Sequence, residues 1–206
     1  MSLLLVDGSW AVCSLWWAQP GETPARFAAT VERVAESVGA TGTPTIAWDA
    51  PGGSWRSEIL PSYKGHRKAK PEALVLDLLR CRKLPGMRHV EVAGFEADDI
   101  LATLAEAQNV QVYILTADKD LTQLVGPGIS LVNARGELTG PAEVEAKFGV
   151  PPSRMRHYLS WAGDSSDGLP GVKGIGEKRA IPHALNGEMG DALTWELVGL
   201  ATVPGL

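Results

Sequence analysis

LLLVDGS, residues Leu3–Ser9, sets four aliphatic residues directly before an aspartate. An apolar run without alternation suits a parallel strand covered on both faces. The acid after it then stands at the carboxyl end of the strand, where open α/β sheets place their ligands. The pattern recurs along the chain. TIAW is followed by Asp49, and VYIL by Asp118 and Asp120 within TADKD. HVEV is followed by GFEADDI, which carries Glu96, Asp98 and Asp99.

The strands implied are Leu3–Val6, Pro44–Trp48, Arg88–Val92 and Val110–Leu115. Amphipathic helices fit between them at Pro24–Val38, Pro71–Lys83 and Glu96–Gln108, the first two opening on a proline suited to a first turn. Strands and helices in strict alternation predict a mostly parallel sheet with right-handed crossovers. Ile129–Val132 reads as a weaker strand, with Arg135–Leu138 turning back along the edge. After Pro141 the pattern turns helical, at Pro141–Phe148, Pro152–Trp161 and from Gly176 onward. The expected architecture is an α/β domain over residues 1–140 and a small helical subdomain over 141–206 packed on it. Gly52–Lys70, rich in basic residues, reads as an exposed excursion from the sheet edge.

At 206 residues with 45% hydrophobic content, the chain is sized for one globular α/β domain. No apolar run approaches the ~20 residues of a membrane span. The opening segment meets Asp7 too early for a signal peptide. Cys13 and Cys81 stand alone, which suits a reducing cytoplasm and two small buried hydrophobes. The net charge of −5 is less anionic than it looks, because setting aside nine acids as metal ligands leaves 15 against 19 Lys and Arg. The remaining chain is therefore basic, as a nucleic-acid binder requires.

The seven acids after the strands admit modest individual roles. Asp7 could cap the helix that follows, Asp120 could cap DLTQLV, and the GFEADDI acids could complement a helix dipole. As a set they need more, because two like charges ~4 Å apart cost about 4 kcal/mol at an effective dielectric of ~20. With few bases interleaved, cations must offset that repulsion. All-oxygen ligands without His or Cys favour Mg²⁺ or Mn²⁺ over Zn²⁺. Asp164 and Asp167, in GDSSDGLPGVKGIGEK, are close enough in sequence to join the same rim or to form an ordinary Asp/Ser turn.

The basic half lies in two segments. SYKGHRKAK, Ser62–Lys70, is either a solvated loop or a phosphate clamp. As a clamp it presents Lys64 and Arg67 together, with Tyr63 free to stack on a base. Trp55 and Arg56 could add to the clamp, or Trp55 could be core. In GVKGIGEK, Gly171, Gly174 and Gly176 permit close backbone approach, and Lys173 and Lys178 add charge. Backbone groups of such a turn can also hold an ion. The Walker pattern GxxxxGK[ST] is absent, which disfavours a P-loop NTPase.

VDGS, AWDA, SYKGHR, GFEADDIL, ILTADKDL and GDSSDGLPGVKGIGEKRA together resemble, in order, the 5′ nuclease domain of bacterial DNA polymerase I and the phage 5′-exonucleases and flap endonucleases. The resemblance spans roughly residues 3–180. It implies a PIN-like α/β fold, a basic arch over about 52–83, and a helix–hairpin–helix-type (H3TH) motif that holds duplex DNA. It implies two Mg²⁺ or Mn²⁺ ions, the first on Asp7, Asp49, Glu96 and Asp98, the second on Asp98, Asp118, Asp120 and Asp167. Asp99 and Asp164 would act through metal-bound water. Lys64 and Arg67 would contact the scissile phosphate, and Tyr63, Lys173, Gly174, Gly176 and Lys178 the DNA. Backbone carbonyls at Gly171, Val172 and Ile175 would hold K⁺.

The implied activity is hydrolysis of DNA at free 5′ ends or 5′ flaps, leaving 5′-phosphate and 3′-hydroxyl products. A DNA polymerase is the implied partner. The expected setting is a monomer in the cytoplasm of a bacterium or a phage-infected cell. Two alternatives remain open: a PIN-type ribonuclease, and a non-catalytic nucleic-acid-binding accessory protein. The sequence departs from the family pattern at Gly168, where Asn is usual, and at Pro182. An interior proline costs ~3 kcal/mol, so the helix after GIGEK is expected to end early or kink. The short C-terminal region predicts a weaker duplex grip or a partner that supplies it.

Overall fold

The structure is a computed structural model describing residues 1–206. Its strands are β1 Ser2–Asp7, β2 Thr45–Trp48, β3 Arg88–Glu91, β4 Gln111–Leu115, β5 Ile129–Val132 and β6 Leu138–Thr139. They form one sheet in the order β3-β2-β1-β4-β5-β6. β1 to β5 pair in parallel, and β6 alone runs antiparallel, with Leu131 opposite Thr139. The expected parallel sheet and returning edge strand are both present.

The order contains a switch point. The chain steps from β1 outward to β3, then crosses back to lay β4 on the other side of β1. Crossovers that depart in opposite directions open a crevice at the carboxyl ends of the central strands. Asp7 ends β1, and Asp118 lies three residues beyond the end of β4, so both stand at that crevice.

The helices are α1 Gly8–Ala18, α2 Thr23–Ser37, α3 Trp55–Ile59, α4 Glu72–Cys81, α5 Ala97–Glu106, α6 Pro141–Phe148, α7 Met155–Ala162, α8 Glu177–Leu185 and α9 Ala192–Leu197. Leu4 and Val6 of β1 enter a core shared with Val12, Phe27, Val31 and Leu74 from α1, α2 and α4. Leu5, between them, enters the opposite core with Ile100 and Leu101 of α5. Burial on both faces explains the unbroken aliphatic run, each such side chain contributing about 1.5–3 kcal/mol. The second core continues into Tyr158, Leu159, Ala180 and Leu197. Residues 141–206 thus share one core with the sheet.

The helix expected after Asp7 is present, but two elements show no periodic pattern. α1 reads GSWAVCSLWWA and has no polar face to set a period, and α3 is a five-residue turn of helix. The expected early end at Pro182 is corrected, since α8 runs through it to Leu185. Ala180 and Ala184 are fully buried on the core side of α8, Pro182 is exposed, and the Asn186 amide bonds back to the Pro182 carbonyl at 3.1 Å. Packing of the alanine face outweighs the one lost amide donor. No helix is long and apolar enough to cross a membrane, and both cysteines are free.

Candidate metal centre and nucleic-acid face

The strand tips deliver the first group of acids. Asp7 caps α1, accepting the Trp10 amide at 2.9 Å and the Thr116 hydroxyl at 3.3 Å. Its structural and site roles therefore coexist. Asp49 accepts the Ala97 amide at 3.0 Å, which ties the tip of β2 to the start of α5. Asp118 accepts the Asp120 amide at 2.9 Å. Asp120 is the first residue of a 3-10 turn rather than its cap, so the expected capping role is corrected: Lys119 holds that position. Asp7, Asp49, Asp98 and Asp118 line a cavity of about 240 Å³ together with Lys64, Arg67 and Lys70.

No cation lies within ion-pairing distance of Asp7, Asp49, Asp98, Asp118 or Asp120. The titration of Asp7, Asp98 and Asp120 reflects this. Burial, then the neighbouring Asp49 carboxylate, pushes Asp7 up to about 8. Burial, then Asp118 and Asp7, raises Asp98 well above the ordinary carboxylate value. Burial also raises Asp120, with Asp118 and Asp164 adding to it. The Asp120 Oδ1 atom is buried with no hydrogen-bond partner. One ligand oxygen each from Asp120, Asp164 and Asp167 lies within 4.8 Å of the other two. An orphaned carboxylate oxygen beside two further carboxylates fits a hard divalent cation.

The remaining acids are paired, which corrects the expectation of few interleaved bases. Glu96 caps α5 in a reciprocal box with Asp99. Its Oε2 receives Lys64 Nζ at 2.9 Å and the Tyr63 hydroxyl at 3.2 Å, and it lines an adjoining cavity with Asp49 and Phe95. Asp167 is held by Arg67 at 2.5 Å and by the Tyr63 hydroxyl at 2.8 Å. Asp164 meets Lys119 at 3.2 Å. Burial opposes ionisation of Asp164, but the Ser166 hydroxyl and Lys119 prevail and hold its carboxyl below the ordinary value. Asp164 also lies with Asp120 and Asp167 in one group whose ligand oxygens are all within 4.8 Å of one another.

Three expectations fail on burial. Asp99 is fully buried, and its oxygens already receive Arg56 Nη1 and Nη2, Trp55 Nε1 and the amides of Glu96 and Ala201. It is saturated and cannot reach a metal through water. Arg56 is 3% exposed and turned toward Asp99, so it is no phosphate contact. Tyr63 is also buried, with its hydroxyl spent on Asp167 and Glu96, so it offers no face for a base. Sequence spacing shows which residues are neighbours but not which of them face inward.

The arch residues point at the acids. Lys64 adopts a left-handed backbone with φ 54°, and its amide bonds the Asp167 carbonyl at 3.0 Å. A non-glycine residue held there costs about 1–3 kcal/mol, which the bond to Asp167 helps to offset. Arg67 adds a bond to the Ser166 carbonyl at 3.1 Å. The GDSSDG turn therefore packs directly under Lys64 and Arg67. Gly168 has φ 77°, a region that Gly and Asn share, which explains the departure from Asn at no structural cost. Gly171 approaches so closely that a Cβ there would lie 2.4 Å from the Gly163 amide nitrogen. Lys173, Gly174, Gly176 and Lys178 are exposed in the loop and first turn of α8, while Gly171 is buried and Val172 and Ile175 half-buried.

Residues missed by the sequence reading include Lys70, Lys119, Arg82 and Thr116. Lys119 sits inside TADKD and Thr116 directly after β4, so both carried a positional signal. Arg82, which donates to the Asp49 carbonyl at 2.9 Å, carried none.

The sequence matches the family described as 5′-3′ exonuclease, N-terminal resolvase-like domain, over residues 2–149. It is 38% identical over 193 residues to the thermostable DNA polymerase I of Thermus thermophilus, an alignment covering 86% of this chain and 23% of the polymerase. It is 36% identical over 143 residues to a 5′-3′ exonuclease of Aquifex aeolicus, covering 66% of this chain and 50% of that protein. The chain thus spans less than a quarter of the polymerases it matches. Among solved structures, T5 5′-exonuclease with divalent zinc ions bound is similar with a TM-score of 0.81 at 21% identity, over 90% of this chain and 75% of that one. The catalytic core of Rad2 in complex with DNA gives 0.58 at 17% identity, over 88% and 59%. These two likenesses establish the PIN-like fold. With the sequence match across most of its length, the chain belongs to the 5′-3′ exonuclease family and carries its N-terminal resolvase-like domain.

Proposed function

We propose that the chain is a divalent-metal-dependent 5′ nuclease that hydrolyses DNA phosphodiesters at free 5′ ends or 5′ flaps. One observation carries this reading: four carboxylates without a cation partner line the switch-point crevice, and a fifth, Asp120, has an orphaned buried oxygen beside Asp164 and Asp167. Asp7, Asp49, Asp98 and Asp118 would hold one Mg²⁺ or Mn²⁺, with Glu96 at its edge. Asp120, Asp164 and Asp167 would hold a second, and Asp98 would be shared between the two. Such ions supply Lewis-acid charge and an activated water for in-line phosphoryl attack.

The chain's own groups do the positioning. Lys64 and Arg67, placed at the mouth of the cavity, orient the phosphate and offset the charge that builds on it. The exposed Lys173, Gly174, Gly176 and Lys178 of the loop between α7 and α8 grip the duplex backbone in an H3TH-type motif. The carbonyls of Gly171, Val172 and Ile175 are its candidate K⁺ ligands. The partner is DNA, with a DNA polymerase as the companion activity, and the working form is a monomer in the cytoplasm of a bacterial or phage-infected cell.

Product mapping on a 5′-labelled flap DNA, beside a hairpin RNA, tests the reading. With Mg²⁺ the flap is cut to a 5′-phosphate end, and chelation stops it. Cleavage of the RNA alone would favour a PIN-type ribonuclease, and no cleavage with Mg²⁺ or Mn²⁺ a binding protein.

A further inference from the structure

Arg56 is the most enclosed cation near the acids, 3% exposed, and it touches neither cavity. Four of its five N–H groups are hydrogen-bonded, and Nη1 also lies 3.5 Å from Glu96 Oε2. Nη1 and Nη2 form a fork on Asp99 at 2.8 and 2.9 Å, Nε donates to the Leu197 carbonyl at 2.8 Å, and Nη2 donates to the Gly199 carbonyl at 2.8 Å. Asp99 in turn receives the Glu96 amide at 3.2 Å and the Ala201 amide at 2.8 Å. Three segments therefore meet on one buried ion pair. They are α3, the first turn of α5, and the end of α9 with the stretch that follows it. That first turn carries Glu96 and Asp98. The stretch after α9 is fastened to α5 a second time, where the Val203 amide donates to the Thr103 hydroxyl at 2.9 Å.

We propose that Arg56 is a positioning residue that acts through Asp99 to hold Glu96 and Asp98 in metal-binding register, and that it uses the carbonyls of Leu197 and Gly199 as the fixed frame. Lysine cannot reproduce this role, because one ammonium cannot span a carboxylate fork and two carbonyls set apart from it. The inference rests on the reading of Asp98 as an ion ligand. Partners that orient metal ligands from behind typically change metal affinity by about 10- to 100-fold when removed.

The test is Mn²⁺ binding to the whole chain without DNA, followed by electron paramagnetic resonance, in the parent and in R56K. R56K should keep the parental far-ultraviolet circular dichroism and bind Mn²⁺ about 10-fold or more weakly. Its kcat at fixed low Mn²⁺ should fall and recover at saturating Mn²⁺, with the KM for flap DNA unchanged. Parental Mn²⁺ affinity in folded R56K would overturn the proposal. So would a kcat loss that excess Mn²⁺ does not restore. Should R56K fail to fold, the double variant R56Q/D99N, which keeps a neutral hydrogen-bonded pair, is held to the same criteria. Failure of the parent itself to cut DNA would refute the nuclease reading instead, a result separate from the R56K comparison.

Discussion

The acids of the crevice divide into two regions that burial treats differently. Glu96, Asp99, Asp164 and Asp167 lie on α5 and the GDSSDG turn, and each meets Lys64, Arg56, Lys119 or Arg67. Asp7, Asp49, Asp98, Asp118 and Asp120 meet no cation of the chain. The paired acids are balanced within the fold, and Asp164 stays below its ordinary pKa. The unpaired acids repel one another, and Asp7, Asp98, Asp118 and Asp120 are raised above theirs. The fold thus balances four of these nine acids internally and leaves five uncompensated, and the two groups meet where unpaired Asp120 lies beside paired Asp164 and Asp167.

The largest effect should follow from removing an unpaired acid at the centre of the site. Asp98→Ala should bring cleavage down to the rate of the chelated enzyme while leaving duplex affinity intact, as read by single-turnover kinetics beside filter binding. Parental cleavage by that variant would erase the distinction between the two regions. Lys64→Ala, on the boundary between them, should slow turnover by roughly 10²–10³-fold, with a smaller loss of duplex affinity. Equal losses would make Lys64 an anchor only.

Stability sharpens the contrast further. In chelator, Asp120→Asn should raise the melting temperature, because it removes a like charge beside Asp118, Asp164 and Asp167. A gain of about 1 kcal/mol corresponds to roughly 2–4 °C in a chain of this size. Asp164→Asn should lower it, because Lys119 then loses its partner. Shifts of the same sign would merge the two regions.

The smallest expected effect is one of pH. Asp7 titrates at about 8 in the fold against 3.8 ordinarily. The folded chain holds that proton more tightly than the unfolded one, so stability in chelator falls as pH rises through this window. Saturating Mn²⁺ should stabilise the fold more at about pH 8 than at about pH 5, where protons compete for the same oxygens. Calorimetric scans at the two values would show this as a widening gap, and an equal gap at both would contradict it.

Much of this was legible in the chain. Runs such as LLLV and VYIL announced doubly covered strands, and the acid after each fixed its place at the carboxyl edge. The pairing of the acids was not legible. Arg56 lies 43 residues from Asp99 and Lys64 lies 32 from Glu96, so no local spacing connects them. Tyr63 illustrates the same limit: a tyrosine in a basic loop looks like a stacking platform until tertiary packing turns it inward. The helix after Asp7 was anticipated from its cap, but not its extent or buried face, because GSWAVCSLWWA is largely apolar and gives no period.

Mn²⁺ titration of the parent chain, followed by electron paramagnetic resonance without DNA, tests most directly whether the acids of the crevice hold divalent ions. Two saturable ions per chain are predicted, with Asp98→Ala retaining at most one. A parent chain that takes up no Mn²⁺ beyond weak surface binding, or an Asp98→Ala variant that binds two ions as the parent does, would contradict the account.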